Sequence, residues 1–182
     1  CRSHRSGAAA GQRAEDGDLV LLDLGAVSNY YAADISRTFP VNGHFTERQK
    51  AIYQLVLEAE IKTIEAVKPG VTLTQLNDVT KQVLTEGLLR LGLIQDSSEL
   101  SKYYYHSVSH HLGLDTHDVS DYSAPLQPGM VITIEPGLYI EEEAIGIRIE
   151  DNVLVTADGY EVLSSQIPKE IEEVELLIGK KE

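Results

Sequence analysis

Four carboxylates set inside apolar stretches constrain this chain more than any other feature. VITIEPG carries Glu135 and GIRIEDN carries Glu150, while earlier LVLLDLG carries Asp23 and YYAADISRTF carries Asp34. An ionised carboxylate within an apolar strand is expensive to bury unless it is partnered. Around the second pair the supply of cations is thin, with Arg148 the only nearby Lys or Arg. A proton can neutralise one such group. Several at once, with His106, His110 and His117 just upstream, point to a metal.

The donor types narrow the metal. Four carboxylates and one imidazole suit two divalent cations, with manganese first and cobalt, zinc or iron as alternatives, better than one structural zinc held by thiolates. A pair of such cations is the usual device for metal-assisted hydrolysis.

Composition sets the outer bounds. The chain has 182 residues, enough for one domain with a sizeable core. Its net charge of −14 argues against a nucleic-acid surface, which needs a basic stripe. Cys1 is the single cysteine, so no intramolecular disulfide forms, which fits a reducing, cytoplasmic setting. No apolar run of about 18 residues is present, so no membrane span is expected. The opening CRSHRSGAAAGQRAE is small, polar and basic, and residues 1–15 read as a disordered or artefactual lead-in to a partial catalytic domain over 16–182. With no initiator Met, the chain reads as a fragment or a processed product.

The local patterns predict the elements. A strand over Asp18–Gly25 and a second over Tyr30–Val41, turned at Ser28-Asn29, form a hairpin. Asp23 and Asp34 then lie on neighbouring strands, the alternative being that one of them is a turn or edge residue. Thr46 and Gln49 make a capping box that opens a helix to Lys68, stopped by Pro69-Gly70, with Ile52, Leu55, Val56 and Ala59 on its apolar face. Thr72 and Gln75 make a second, opening a helix to about Arg90 with Leu76, Val79, Val83 and Leu84 inward and Gly92 beyond its end. Asp96–Lys102 is a loop or short helix, and Tyr103–Tyr105 a strand edge or pocket wall. Strands follow at about 130–135, 137–141, 146–156 and 160–163, with a hairpin turn at Asp158-Gly159. Pro168–Ile178 is a short acidic helix with Pro in its first turn.

Five motifs in order, LLDLG, ADISRTFPV, SHHLGLDTHDV, TIEPGLY and GIRIEDN, resemble the dinuclear-metal pita-bread peptidases. Among these, the chain looks most like the Xaa-Pro aminopeptidases and prolidases. The resemblance implies an α+β pita-bread fold, a curved, mainly antiparallel sheet backed by helices, without the family's N-terminal portion. It implies metal ligands Asp23, Asp34, His110, Glu135 and Glu150. Asp34 and Glu150 match the positions that bridge both metals, Asp23 completes one site, and His110 with Glu135 completes the other. Glu135 matches the proton carrier and His117 the substrate-side histidine. His106 and Arg148 match supporting positions near substrate or ligands. His111 is read as a core or surface residue and Arg37 as structural. Ser107 and Ser120 stand where the family has Gly, and His4 does not match the family's additional histidine.

The activity implied is hydrolysis of the bond between an N-terminal residue and a following proline, whose ring nitrogen lacks an N–H. Peptides with proline second are the implied substrates, and a longer parent leaves room for a homo-oligomer. The alternatives are a prolidase restricted to dipeptides, and an inactive fragment or binding scaffold of the same fold.

Overall fold

A computed structural model describes residues 13–179. Most of the expected lead-in, Cys1–Gln12 with His4, lies outside these residues, and Arg13–Glu15 is exposed. β1 (Leu19–Leu24) pairs antiparallel with β4 (Ile35–Pro40), placing Asp23 opposite Ser36. A shorter ladder, β2 (Val27–Ser28) with β3 (Tyr31–Ala32), closes the hairpin. Its turn falls on Asn29 and Tyr30, both at positive φ, one residue later than the Ser28-Asn29 expectation. The second strand is not continuous either. It breaks at Ala33-Asp34, where Gly25 approaches so closely that a Cβ there would lie 1.6 Å from the Ala33 carbonyl oxygen.

Both capping boxes form. Thr46 caps α1 (Glu47–Glu65) and Thr72 caps α2 (Leu73–Arg90), each with its Gln three residues on. α1 ends before Lys68, because a residue preceding Pro is pushed out of the helical region. Its expected face is buried, and so are Tyr53, Leu57 and Glu60, because sheet, α2 and the C-terminal segment surround it. The inward face of α2 is rotated from the expected one. Leu73, Leu76, Thr80, Leu84, Gly87 and Leu88 are buried, with Val79 and Val83 at the margin. Thr80 turns inward because its hydroxyl has a partner, Thr63 of α1, at 2.6 Å.

After a 3-10 turn over Ser97–Lys102, Tyr103 and Tyr104 pack into the hydrophobic core outside any strand, and Tyr105 is exposed. β5 (Val131–Ile134), β8 (Asp151–Val155) and β9 (Tyr160–Val162) form one antiparallel sheet, in the order β5-β8-β9. β6 (Gly137–Ile140) and β7 (Ile145–Arg148) form another. Glu135 and Glu150 therefore stand in gaps between strands, not in the middle of them. Pro136 has no N–H to give the ladder, so the pairing of 134 with 151 resumes only at 137 with 148. Thr38 Oγ1 accepts from the Arg148 amide and donates to the Arg148 carbonyl, tying β4 alongside β7. α3 (Ile171–Ile178) starts three residues after Pro168, which lies in a bound loop.

α1 and α2 cover the inner side of β6 and β7 through Ile52, Leu55, Leu84, Leu138 and Ile147. A second cluster joins the end of α1 to β5 and β8 through Ile64, Leu76, Ile132, Ile134 and Val153. The result is the expected α+β architecture, antiparallel sheets backed by helices.

Candidate metal centre

Each carboxylate reaches the site from a fixed piece of backbone. Asp23 comes from the end of β1. Asp34 stands at the break before β4, where Asn152 clamps its backbone by accepting from the Asp34 amide at 3.2 Å and donating to the Asp34 carbonyl. Glu135 follows β5, its amide bonded to the Val108 carbonyl at 2.8 Å. Glu150 precedes β8, its amide bonded to the Ser36 carbonyl at 3.1 Å.

His110 sits in a segment without regular structure, held by its amide to Thr133 Oγ1 at 3.1 Å. Its Nδ1 lies 3.0 Å from the His111 carbonyl oxygen, a contact that requires Nδ1 to carry a proton. A neutral His110 ring therefore has its lone pair on Nε2. That nitrogen lies 3.5 Å from Asp34 Oδ2 and 3.6 Å from Glu135 Oε1. Donor atoms of Asp34, His110 and Glu150 all fall within 4.8 Å of one another. Asp23 lies close enough to Asp34 for that carboxyl to raise its pKa.

The electrostatics carry the cost of this crowding. Burial, then repulsion from Glu135 and Asp34, pushes the Glu150 carboxyl up to about 8. Burial pushes Glu135 up to about 7, against the pull of His110 and Arg148. Asp23 is raised by burial and by the neighbouring Asp34. For Asp34, burial opposes ionisation, but His110 and Asp23 outweigh it and hold the pKa down. Burial works against a charged His110, yet the Asp34 bond raises its pKa.

One atom completes the test of fit. Glu150 Oε2 accepts from the Ser36 hydroxyl at 2.6 Å, while its Oε1 is buried with no hydrogen-bond partner. A buried acceptor without a donor is costly. A hard, mostly oxygen donor set plus one imidazole nitrogen is the environment a divalent cation takes, so the residues fit a divalent metal.

Around this centre, His117 is exposed, with its ring centroid 4.1 Å from that of His110. Arg148 is buried and donates to Asp23 Oδ2 at 2.7 Å, Ser36 Oγ at 2.9 Å and Tyr139 Oη at 3.0 Å. His106 Nε2 lies 2.9 Å from Tyr139 Oη, so a line of hydrogen bonds runs from His106 through Tyr139 and Arg148 to Asp23. His111 packs elsewhere, edge-on to Tyr122, as a core residue.

Sequence reasoning missed four supporting residues: Ser36, Thr133, Tyr139 and Asn152. Ser36 and Asn152 had a readable signal, since each stands two residues after an embedded carboxylate, in ADIS and IEDN. Thr133 had the same signal, two residues before Glu135, and Tyr139 carried none.

The Metallopeptidase family M24 pattern matches residues 2–157. The chain is 44% identical to the Xaa-Pro aminopeptidase of Haemophilus influenzae, over 90% of this chain and 43% of that protein. It is also 44% identical to the mitochondrial Intermediate cleaving peptidase 55 of Arabidopsis thaliana, over 92% of this chain and 36% of that protein. Among solved structures, aminopeptidase PepP of Pseudomonas aeruginosa superposes with a TM-score of 0.85 at 43% identity, over 90% of this chain and 42% of that one. The chain thus spans about two fifths of the length of the curated relatives it matches. The matched pattern, the relatives and the superposition agree, and the chain belongs to the metallopeptidase family M24.

Proposed function

We propose that this chain is the metal-bearing part of an Xaa-Pro aminopeptidase, hydrolysing the bond between an N-terminal residue and proline. The observation that carries the reading is the meeting of Asp34, His110 and Glu150 donor atoms within 4.8 Å around a Glu150 oxygen that has no donor. The relatives named as Xaa-Pro aminopeptidases support the substrate class.

In this reading Asp23, Asp34, His110, Glu135 and Glu150 hold two divalent cations, manganese first among them. When bound, such a pair supplies Lewis acidity at a peptide carbonyl. Asp34 and Glu150 would serve both cations, Asp23 would complete the holding of one, and His110 with Glu135 that of the other. Glu135 takes a proton from the attacking water and passes it to the leaving proline nitrogen. His117, exposed beside His110, donates a hydrogen bond to the reacting peptide. His106 and Arg148, joined through Tyr139, keep Asp23 in place and line the substrate side. Residues 16–182 then form part of a catalytic domain, and the single cysteine fits a cytoplasmic enzyme.

The test is manganese-dependent cleavage of Xaa-Pro dipeptides and of longer peptides with proline second. Cleavage of both supports the aminopeptidase reading, and cleavage of dipeptides alone converts it to a prolidase. A manganese-loaded chain that leaves both intact sinks it in favour of an inactive fragment or a binding scaffold.

A further inference from the structure

Behind the metal centre, on the other side of β4, lies a second buried charge cluster that the chemistry above does not use. Arg37 is on β4 between Ser36 and Thr38, and by strand alternation its side chain leaves the sheet opposite theirs. Its Nη1 donates to the Ser36 carbonyl at 2.9 Å and to the Glu150 carbonyl at 2.7 Å. Nη2 donates to Asp151 Oδ1 at 2.7 Å and to the Ile167 carbonyl at 3.1 Å, and Nε donates to the Pro168 carbonyl at 2.9 Å. Lys169 then spans Asp151 Oδ2 at 2.6 Å and both oxygens of Glu60 at 2.7 and 2.9 Å. Ser164 closes the ring by donating to Asp151 Oδ1 at 2.7 Å. Asp151 and Glu60 are both fully buried.

Two features set this cluster apart from an ordinary structural ion pair. Taking ionisable groups out of water is costly, and apolar residues of similar volume would hold the same elements together at least as well. The contacts are also not distributed at random. Arg37 grips the carbonyls of Ser36 and Glu150, the two residues whose side chains meet on the opposite face, Ser36 Oγ to Glu150 Oε2. Asp151, the anchor for both cations, is the residue next to Glu150. α1 reaches the same point through Glu60, and through Tyr53, whose hydroxyl donates to the Lys169 carbonyl at 2.8 Å. The rigid helix is thereby connected to the backbone of one carboxylate of the centre, in a gap where no strand ladder holds that backbone.

We propose that Arg37 and Lys169 are positioning residues for the metal centre: with Asp151 and Glu60 they fix the Glu150 backbone against β4 and so set the spacing between the Glu150 and Asp34 carboxylates. This rests on the reading of those carboxylates as metal ligands. It assigns the loop from Ser164 to Lys169 to the site, although none of its side chains reaches the centre. The chemistry explains the choice of residues. Only a planar guanidinium with a fixed fork of five donors can serve four carbonyls and a carboxylate at once, whereas lysine offers one compact ammonium.

The experiment measures manganese binding to the chain by titration calorimetry and by the electron paramagnetic resonance of bound Mn(II). The variants are Arg37→Lys and the charge-neutral pair Glu60→Gln with Lys169→Met. Thr63→Ala serves as a control that removes a buried hydrogen bond between α1 and α2 in which no carboxylate takes part. Circular dichroism fixes a temperature at which all four proteins are folded, and the mild Arg37→Lys change covers the case in which the double variant does not fold. Loss of a partner that orients a ligand typically weakens metal binding about 10–100-fold. The expected result is a loss of that size, with an altered Mn(II) spectrum, in the Arg37 and Glu60/Lys169 variants, while the control melts earlier but binds manganese as the wild type does. Wild-type affinity in the variants overturns the inference and leaves the metal reading standing. Weakening in the control as large as in the variants also overturns it. A wild-type chain that takes up no manganese overturns both.

Discussion

Glu135 and Glu150 face each other across the gap where the strand ladder is interrupted, since residue 134 pairs with 151 below it and 137 with 148 above it. Neither backbone is part of a regular strand, and both side chains enter the same buried space. Without a cation, Glu135 raises the cost of ionising Glu150.

This opposition predicts a pH dependence for the metal-free chain. Glu135 and Glu150 have folded-state pKa values near 7 and 8, above the ordinary carboxyl value of 4.5. The folded state therefore holds more protons than the unfolded one between these limits. Stability is fully present below pH 4.5 as far as these groups are concerned, and is lost as pH rises through 7 and 8. Glu60, also raised to about 8 by burial, adds a trend of the same sign. Melting temperatures in chelator should fall from pH 5.5 to 8, and Glu150→Gln should flatten that fall. An unchanged slope in Glu150→Gln refutes the assignment.

Manganese should act in the opposite direction. Cation binding displaces those protons, so affinity rises with pH. At free manganese about 100 times the dissociation constant, the folded state gains about 2.7 kcal/mol. Thermal melts at pH 7.5 should move up with manganese and back with chelator, and the increment should shrink at pH 5.5. A melting temperature indifferent to both reagents counts against a metal centre.

The two neighbouring histidines should separate by function. His110→Ala removes a nitrogen aimed at Asp34 and Glu135, and should weaken or abolish binding of one metal. His117→Ala should leave metal content near wild type and lower turnover on an Xaa-Pro peptide by about 10²–10³, the usual value of a hydrogen bond made in the transition state. Equal metal loss in both variants would show that this division of roles is wrong.

Ser36 offers a test that needs no substrate. Its hydroxyl joins Glu150 Oε2 and Arg148 Nε, both buried. Ser36→Ala leaves both partners short of a bond, which costs about 1–3 kcal/mol. Chemical denaturation of the metal-free chain should show a lower midpoint with an unchanged slope. Wild-type stability would mean that water or a shift of Arg148 replaces the hydroxyl.

Local chemistry was legible wherever one segment decides its own shape. Thr46 with Gln49 and Thr72 with Gln75 announce two helix starts, and both form. The embedded carboxylates were legible as anomalies, and Asp23 lies within β1 as expected, but Asp34, Glu135 and Glu150 stand in breaks between strands. Pro136 was in plain view, yet its effect on the opposite strand, at Ile149 and Glu150, depends on a pairing that sequence periodicity does not specify. Arg37 is the clearest case of information held elsewhere. Nothing in SRTF distinguishes a surface arginine from one that grips Glu150, Asp151, Ile167 and Pro168, because every distant partner is more than 100 residues away.

That separation has a kinetic consequence. Ser36 and Glu150 meet across 114 residues, and Asp34 and Asn152 across 118. Contacts of such long range require closure of a large loop, while helices α1 and α2 form and pair through neighbours close in sequence. The two helices should therefore appear early during refolding and the carboxylate pocket last. Manganese added to the refolding chain should slow subsequent unfolding and leave the folding rate nearly unchanged, since a site absent from the transition state cannot lower its barrier.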